Sequence, residues 1–178
     1  MGTWLNSDGL YIKTGVTEAT QNQGGTFHAT GSDGSKIVEI EIDLTTLPTT
    51  DTLLADNVVI PKGSQIVEVK TIAEVAAVGG TSVSVGFYNL DRTTIGHATG
   101  ILSAAPIANY DTVGETTIYS VSAVVPAAAT GIGGWVGTIL PVAQLIYGKR
   151  VGTFSAGRLV LQIKYRPNAL VSNVALIS

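Results

Sequence analysis

The stretch KIVEIEIDL, Lys36–Leu44, alternates apolar and charged side chains almost without interruption. Successive side chains of an extended chain point to opposite faces, so the apolar residues at even positions share one face. The three carboxylates at odd positions, Glu39, Glu41 and Asp43, share the other face. This pattern predicts a strand that buries one face in a core and exposes the other to water.

The same reasoning predicts further strands toward the carboxyl terminus, separated by turn signals at residues 61–64 and 79–80. Imperfect alternation in the strand that begins at Gln65 predicts a β-bulge or a strand that crosses between environments. Ala98–Ala108 is rich in small residues and contains a proline, so we expect a short helical turn or a packed loop there. The further predicted strands are Leu53–Ile60, Gln65–Ala76, Thr81–Tyr88 and Thr116–Val125, followed by a final hairpin of Val151–Phe154 and Gly157–Arg166.

Short strands at regular spacing indicate an all-β protein, an antiparallel β-sandwich that is jelly-roll-like and has extended N- and C-terminal arms. Three segments are predicted: residues 1–35 as an N-terminal arm, 36–166 as the β-sandwich (jelly-roll) domain, and 167–178 as a C-terminal arm or final strand. A disordered tail is the alternative for the first segment, which is rich in glycine and polar residues. The last segment is apolar and uncharged after Pro167, which favours burial in the sandwich or against a neighbouring subunit.

The composition favours a protein that assembles. Charged residues make up 13% of the 178 residues, about half of the usual share. A monomer of this composition would expose an unusually apolar surface, which contact with neighbours would bury. The net charge is −3 and the basic residues are scattered, which argues against a nucleic-acid partner.

No apolar run approaches the ~20 residues of a membrane span, and the N-terminus lacks signal-peptide features. We therefore expect no membrane association and synthesis in a cytoplasm.

Residue types that commonly carry catalysis form no recognisable pattern. There is no cysteine, which excludes thiolate chemistry and cysteine-ligated metals. His28 and His97 are expected in surface loops, and neither has a metal ligand at a suitable spacing. No GxSxG elbow occurs, and Gly131–Gly137 lacks the phosphate-binding pattern, so close backbone approach in a packed loop explains it better. We predict a protein that is not an enzyme and needs no cofactor or metal.

The acidic face of Lys36–Leu44 allows three interpretations. It is a solvated strand face, a glycosidase-like pair of carboxylates, or an acidic stripe that meets basic residues of a neighbouring molecule. Asp33 and the Asn89–Asp91 turn are candidate calcium ligands, but they lack the spacing of an EF-hand.

One stretch resembles a known class of proteins. NVVIPKGSQIVEVKTIAEVAAVGGTSVSVGFYNLDR, Asn57–Arg92, with the preceding EIEIDLTTL, is similar to the core of tailed-phage virion accessory proteins, which resemble head decoration or cement proteins with a jelly-roll or related β-sandwich domain. The likeness lies in the strand ending in IPKG, the long strand after it, the GGTSVSVG turn and strand, and the NLDR loop. It covers about the first half of the chain. Asn109–Ala143 and the C-terminal tail match no such pattern.

The resemblance implies a structural virion protein that decorates and cements a phage capsid by bridging major capsid protein subunits on the capsid exterior, with a homotrimer as the expected assembly. Two alternatives stay open: a phage tail, baseplate or head-fibre module, and a carbohydrate-binding β-sandwich. Aromatic and apolar residues of the arms and of the glycine-rich loop are candidate interface anchors, although each could instead complete the protein's own core. These candidates are Trp4, Leu10, Tyr11, Ile12, Trp135, Leu170, Val174 and Leu176.

Overall fold

The computed structural model describes residues 2–5, 11–14, 25–29, 34–120 and 131–167. Strands dominate these residues, and the helical structure among them is one 3₁₀ turn at Ile107–Asn109. The strands are β1 (Gly2–Leu5), β2 (Tyr11–Thr14), β3 (Gly25–Ala29), β4 (Lys36–Asp43), β5 (Thr52–Ile60), β6 (Gln65–Gly79), β7 (Ser82–Asn89), β8 (Ile95–Pro106), β9 (Thr116–Ser120), β10 (Gln144–Val151) and β11 (Phe154–Arg166).

Two antiparallel sheets pack face to face around one apolar core. One sheet has five strands in the order β3-β4-β11-β6-β9, and the other has four in the order β5-β10-β7-β8. The core draws on both sheets, with Ile40 and Leu161 from the first and Val85 and Ile146 from the second, all fully buried. The prediction of an all-β antiparallel sandwich is confirmed.

The jelly-roll form of the sandwich stays a prediction, and the strand order favours it. Numbered from one at β4, the eight strands up to β11 occur as 1-8-3-6 in one sheet and 2-7-4-5 in the other. Within this set the chain changes sheet at every step except from β7 to β8, which are neighbours in the four-stranded sheet. Such an order is what two interlocked Greek keys produce in an eight-stranded sandwich.

Strand β4 buries its apolar side, as its alternation predicts. Val38, Ile40 and Ile42 of β4 are at most 1% exposed and face the core. On β11 the same face continues through alternate residues from Leu159 to Tyr165, all of them buried. The pairing of Ile40 with Leu161 places these two apolar rows side by side, so the two strands form a continuous apolar wall.

The long strand β6 contains the predicted irregularity. Its register against β11 shifts at several points, so the strand bends while it stays paired along its length. Strand β9 pairs with its other side, from Glu68 to Ile72.

Two local predictions are wrong. Most of Ala98–Ala108 is strand, because residues 98–106 lie in β8 and pair with β7, and the 3₁₀ turn takes in only Ile107 and Ala108 of this range. The pairing is irregular: Ala104 adopts a φ of 47° between shifted pairs, and Pro106 is tolerated because β8 is an edge strand.

The predicted final hairpin does not form either. β11 runs unbroken from Phe154 to Arg166 and pairs with β4 and β6, whereas β10 pairs with β5 and β7. The turn at Gly152, which has a φ of 81°, therefore crosses from one sheet to the other. A hairpin turn and such a crossing carry the same local signal, and only pairing with distant strands separates them.

The N-terminal residues described contribute strands as well. β1 pairs with β2 as a separate two-stranded sheet, and β2 contacts β5. β3 pairs with β4 as an edge strand of the five-stranded sheet. The division into arms and a domain at residues 35 and 166 stays a prediction.

We expect Leu161→Ala to lower the free energy of unfolding by about 2–5 kcal/mol, because it removes buried methyl groups from the central strand and leaves a cavity. Leu161 is 0% exposed. Val113→Ala is the control, since Val113 is 66% exposed and its truncation should change stability by less than about 0.5 kcal/mol. Urea unfolding followed by fluorescence measures both. Equal effects of the two substitutions would contradict the assignment of Leu161 to the core.

Candidate interface site around Trp135

One end of the sandwich is built from three connections. They are residues 61–64 between β5 and β6, residues 90–94 between β7 and β8, and the described part of the segment between β9 and β10, residues 131–143. Backbone hydrogen bonds join the first and third, from Gly63 N to Leu140 O at 2.9 Å and from Leu140 N to Ser64 O at 2.8 Å. The opposite end is tied together separately, for example from Thr81 N to Val151 O at 2.8 Å.

The glycine-rich segment Gly131–Gly137 lies across this end and connects the two sheets. On one side it bonds to β8, where Gly133 N donates to Ile101 O at 3.0 Å and Trp135 N donates to Gly100 O at 2.9 Å. On the other side Gly137 N donates to Ile66 O of β6 at 2.8 Å. The backbone of Trp135 is thereby fixed to regular strands at both ends of a short loop.

Glycine is required where this loop touches β8. A Cβ at Gly133 would lie 2.4 Å from Gly100 O, and a Cβ at Gly131 would lie 2.5 Å from the Cα of Ala105. Both neighbours are backbone atoms that cannot turn aside, so a side chain at either position would push the loop off the strand. Close backbone approach is the geometric role of these glycines.

Trp135 is half-buried and packs against the core while lining a surface pocket. Its ring lies edge-on to the His97 ring, with centroids 5.8 Å apart. A Cβ at Gly100 would lie 3.2 Å from the Trp135 indole and 2.6 Å from the Phe87 ring, so both rings pack over that glycine. The pocket has a volume of about 190 Å³. It is lined by Phe87, Asn89, Ile95, Gly96, His97, Trp135, Leu140, Pro141, Val142 and Gln144.

One corner of the pocket is polar and incompletely hydrogen-bonded. Gln144 is 5% exposed, and its Nε2 donates to Asn89 Oδ1 at 3.1 Å. Its Oε1 is buried without a hydrogen-bond partner, as is Nδ1 of His97. Gly96 lies against this corner, because a Cβ there would be 2.2 Å from Gln144 Oε1. Buried polar atoms without a partner are uncommon in folded proteins and call for an explanation.

Three exposed apolar side chains form what we call the rim: Ile95 and Val142, which line the pocket, and Leu90, which follows the pocket residue Asn89 in the chain. Leu90 is 52% exposed, Ile95 37% and Val142 48%. Leu90 and Ile95 flank a short turn that Asp91 holds, since its Oδ1 accepts from the backbone N–H groups of Thr93 and Thr94, each at 2.9 Å. These hydrogen bonds, that from the Thr93 backbone first, lower the pKa of Asp91 to about 2.

The structure brings only some of the predicted interface residues to this site. Trp135 is its central residue. In the β1–β2 pair, the backbone of Trp4 is opposite Ile12, and that of Tyr11 is opposite Leu5. The remaining candidates lie outside the described residues; they are Leu10, Leu170, Val174 and Leu176.

Sequence reasoning did not bring the other lining residues together as one site, although it named His97 and Asn89 in other roles. Asn89, Gln144 and Val142 stand in three unrelated sequence contexts, and no local pattern joins them. His97 was expected in a surface loop, and that expectation is wrong, because it lies half-buried in β8. A polar glutamine at the start of an apolar run, Gln144–Tyr147, is the one signal that could have indicated a functional position.

Side chains of the neighbouring strand β11 contact the acidic face of β4. Arg158 on the neighbouring strand lies 3.3 Å from Glu41 and 3.0 Å from Glu74, and Gln162 Nε2 donates to Glu39 at 2.8 Å. The two Arg158 ion pairs are exposed to water and contribute little to stability. Over the described residues no cluster of three or more potential metal-ligating side chains occurs. The described residues also contain no helix long and apolar enough to cross a membrane.

Comparison with known proteins gives only distant similarities. No family model matches the sequence, and no curated protein matches it. A chain of the acidic stable capsid structure of Helicobacter pylori bacteriophage KHP30 is 16% identical, with a TM-score of 0.46 over 81% of this chain and 94% of that one. A chain of the cyanophage Pam1 capsid asymmetric unit is 15% identical, with a TM-score of 0.43 over 91% of this chain and 96% of that one. At this level neither similarity assigns a role to a residue of this chain.

A matched pair of glycine substitutions tests the packing of the loop. Gly133→Ala should destabilise the protein by about 1–3 kcal/mol, because its Cβ meets a backbone oxygen. Gly134→Ala should leave stability unchanged or raise it by up to about 1 kcal/mol, since its nearest neighbour is the His97 ring at an ordinary 3.7 Å. Thermal unfolding of both variants measures the difference. Equal stabilities would contradict the close approach at Gly133.

The Asp91 turn makes a pH-dependent contribution. The pKa of Asp91 in the folded protein, about 2, lies below its ordinary value of 3.8, so the contribution is complete above pH 3.8 and is lost as the pH falls toward 2. We expect the backbone amide NMR signals of Thr93 and Thr94 to titrate with a midpoint near pH 2. In Asp91→Ala these signals should not titrate in that range. A midpoint near 3.8 in the wild type would show that the hydrogen bonds are absent in solution.

Proposed function

We propose that this chain is a structural virion protein that decorates and cements a phage capsid by bridging major capsid protein subunits on the capsid exterior. The sequence likeness over Asn57–Arg92 gives the proposal its direction. The observation that carries it is the exposed apolar rim beside a pocket that the ends of β7, β8 and β10 form with the Trp135 segment at one end of the sandwich.

The rim is the kind of surface that a partner protein covers. Leu90, Ile95 and Val142 each expose more than a third of their area. Ile95 and Val142 line the pocket, and Leu90 follows the pocket residue Asn89. Water around clustered apolar side chains is unfavourable by about 25 cal/mol per Å², so burial under a partner is favoured. A half-buried indole beside such a rim resembles the aromatic anchors that dominate many protein interfaces.

One other surface of the sandwich, the outer face of the five-stranded sheet, differs in character from this end. The outer face of the five-stranded sheet carries the Glu41–Arg158–Glu74 contacts and the Gln162–Glu39 hydrogen bond. A face organised by exposed charged pairs is well suited to contact with water. The contrast supports a protein oriented on its partner by one end, with the charged sheet face turned away.

The homotrimer and the use of the arms are further parts of the proposal. Trp4, Leu10, Tyr11 and Ile12 of the first arm and Leu170, Val174 and Leu176 of the tail are its proposed arm contacts. Exchange of such segments between identical subunits is a common route to closed assemblies.

A carbohydrate-binding module is the second candidate. The observation that favours it is that Trp135, Asn89 and Gln144 line the same pocket, which places an aromatic ring near two side-chain amides. Ring faces and amide groups together suit sugar rings and their hydroxyls. The apolar rim favours the first candidate.

Light scattering and co-sedimentation with purified capsid shells test the proposed function. We expect a mass of three chains of 18.3 kDa each, co-sedimentation with shells that lack the protein, and greater resistance of the decorated shells to heat. A truncation that removes Asn168–Ser178 should remain folded and lose shell binding if the tail is an arm. A monomer that fails to sediment with shells would overturn the cement proposal, and its binding to glycans would then support the second candidate.

A further inference from the structure

We propose that the Trp135 pocket is a receptor for one aromatic side chain with a hydrogen-bond donor at its tip, presented by a protein partner. The inference deepens the proposed function and rests on it for the identity of that partner as a capsid component. Tyrosine is the side chain that combines these properties most simply, because its ring is apolar and its hydroxyl donates.

The size of the pocket favours a single side chain. Its volume of about 190 Å³ is below the roughly 300–1,000 Å³ of pockets that hold small-molecule ligands. Its inner wall consists of the Phe87 and Trp135 rings and Leu140. Aromatic rings pack well edge-on or offset against other rings, so an entering ring finds two suitable partners.

The polar corner favours a donor on the entering group. Gln144 Oε1 and His97 Nδ1 are buried without a hydrogen-bond partner. The terminal torsion of a glutamine side chain is soft, so a modest rotation turns its carbonyl oxygen toward the pocket. A hydroxyl brought in by the partner then supplies the hydrogen bond that this oxygen lacks.

The rim favours a protein over a glycan as the source of the group. Ile95 and Val142 add exposed apolar area to the lining of the pocket, and Leu90 adds more beside Asn89. A polypeptide that inserts a side chain also covers such a rim with its own apolar neighbours, whereas the hydroxyl groups of a sugar would lose water against it.

A titration with side-chain analogues tests the pocket without any capsid. In ¹H–¹⁵N NMR spectra, 4-methylphenol should shift the indole signal of Trp135 and the side-chain amide of Gln144 in a saturable way. Toluene, which lacks the hydroxyl, should bind at least about threefold more weakly, as expected for one net hydrogen bond. Gln144→Met removes the acceptor at similar size and should abolish that difference. The inference is wrong if neither compound saturates, if toluene binds equally well, or if methyl glucoside shifts these signals and 4-methylphenol does not.

Shell binding by two exposed-residue variants separates the inference from the proposed function. Val142→Asp places a charge on the rim and should lower co-sedimentation at least tenfold. Val113→Asp, at the other end of the sandwich and 66% exposed, should leave it unchanged. If both variants bind shells as the wild type does, the pocket is not the contact and the cement function still stands. If the wild type does not bind shells, the cement function fails, and the analogue titration alone decides whether the pocket is a receptor.

Discussion

The pairing of β11 between β4 and β6 is the constraint on which the rest of the structure depends. Gln162 of β11 hydrogen-bonds to Glu39 of β4, 123 residues earlier in the sequence. The five-stranded sheet therefore forms only when these two distant parts of the chain pair. The inner residues of β11 from Leu159 to Tyr165 are at most 1% exposed, and they form the floor on which the second sheet packs. Because β10 lies in that second sheet, the short turn at Gly152 fixes the two layers against each other.

The crossings between layers also create two ends with different chemistry. Connections at one end are joined by backbone bonds from Thr81 to Val151 and from Arg150 to Pro48. Connections at the other end leave a gap between the sheets that the glycine-rich loop spans. That loop follows β8 so closely that Gly133 has no room for a Cβ, and its position fixes where Trp135 stands. The pocket is thus a direct consequence of how the sandwich is closed.

Sequence alone predicted the parts of this fold that follow from local alternation. The two faces of β4 and the buried row on β11 need only a period of two and a partner surface, so they were predictable. β8 was not, because its small residues and irregular pairing hide the alternation, and β7 imposes the strand on it. The crossing at Gly152 was missed for a related reason, since a turn signal does not show which sheet the chain enters next. The pocket was the least predictable feature, because Asn89, Trp135 and Gln144 come together only through the closure of the sandwich.

The walls of the Trp135 pocket are held in place by the fold, and this affects how tightly the pocket can bind a partner. A binding pocket that forms only on contact must order its own walls during association, and this cost reduces affinity. Here a hydrogen bond from Trp135 N to Gly100 O holds the Trp135 backbone, and the Trp135 ring packs on the same glycine as the Phe87 ring. The walls are therefore in place before any partner arrives, while the unpaired Gln144 oxygen leaves one interaction unmade in the isolated protein. A largely preformed cavity with an unmet acceptor in its polar corner gains most from a group that fills the cavity and donates at the same time, and this joint requirement is a physical basis for selectivity.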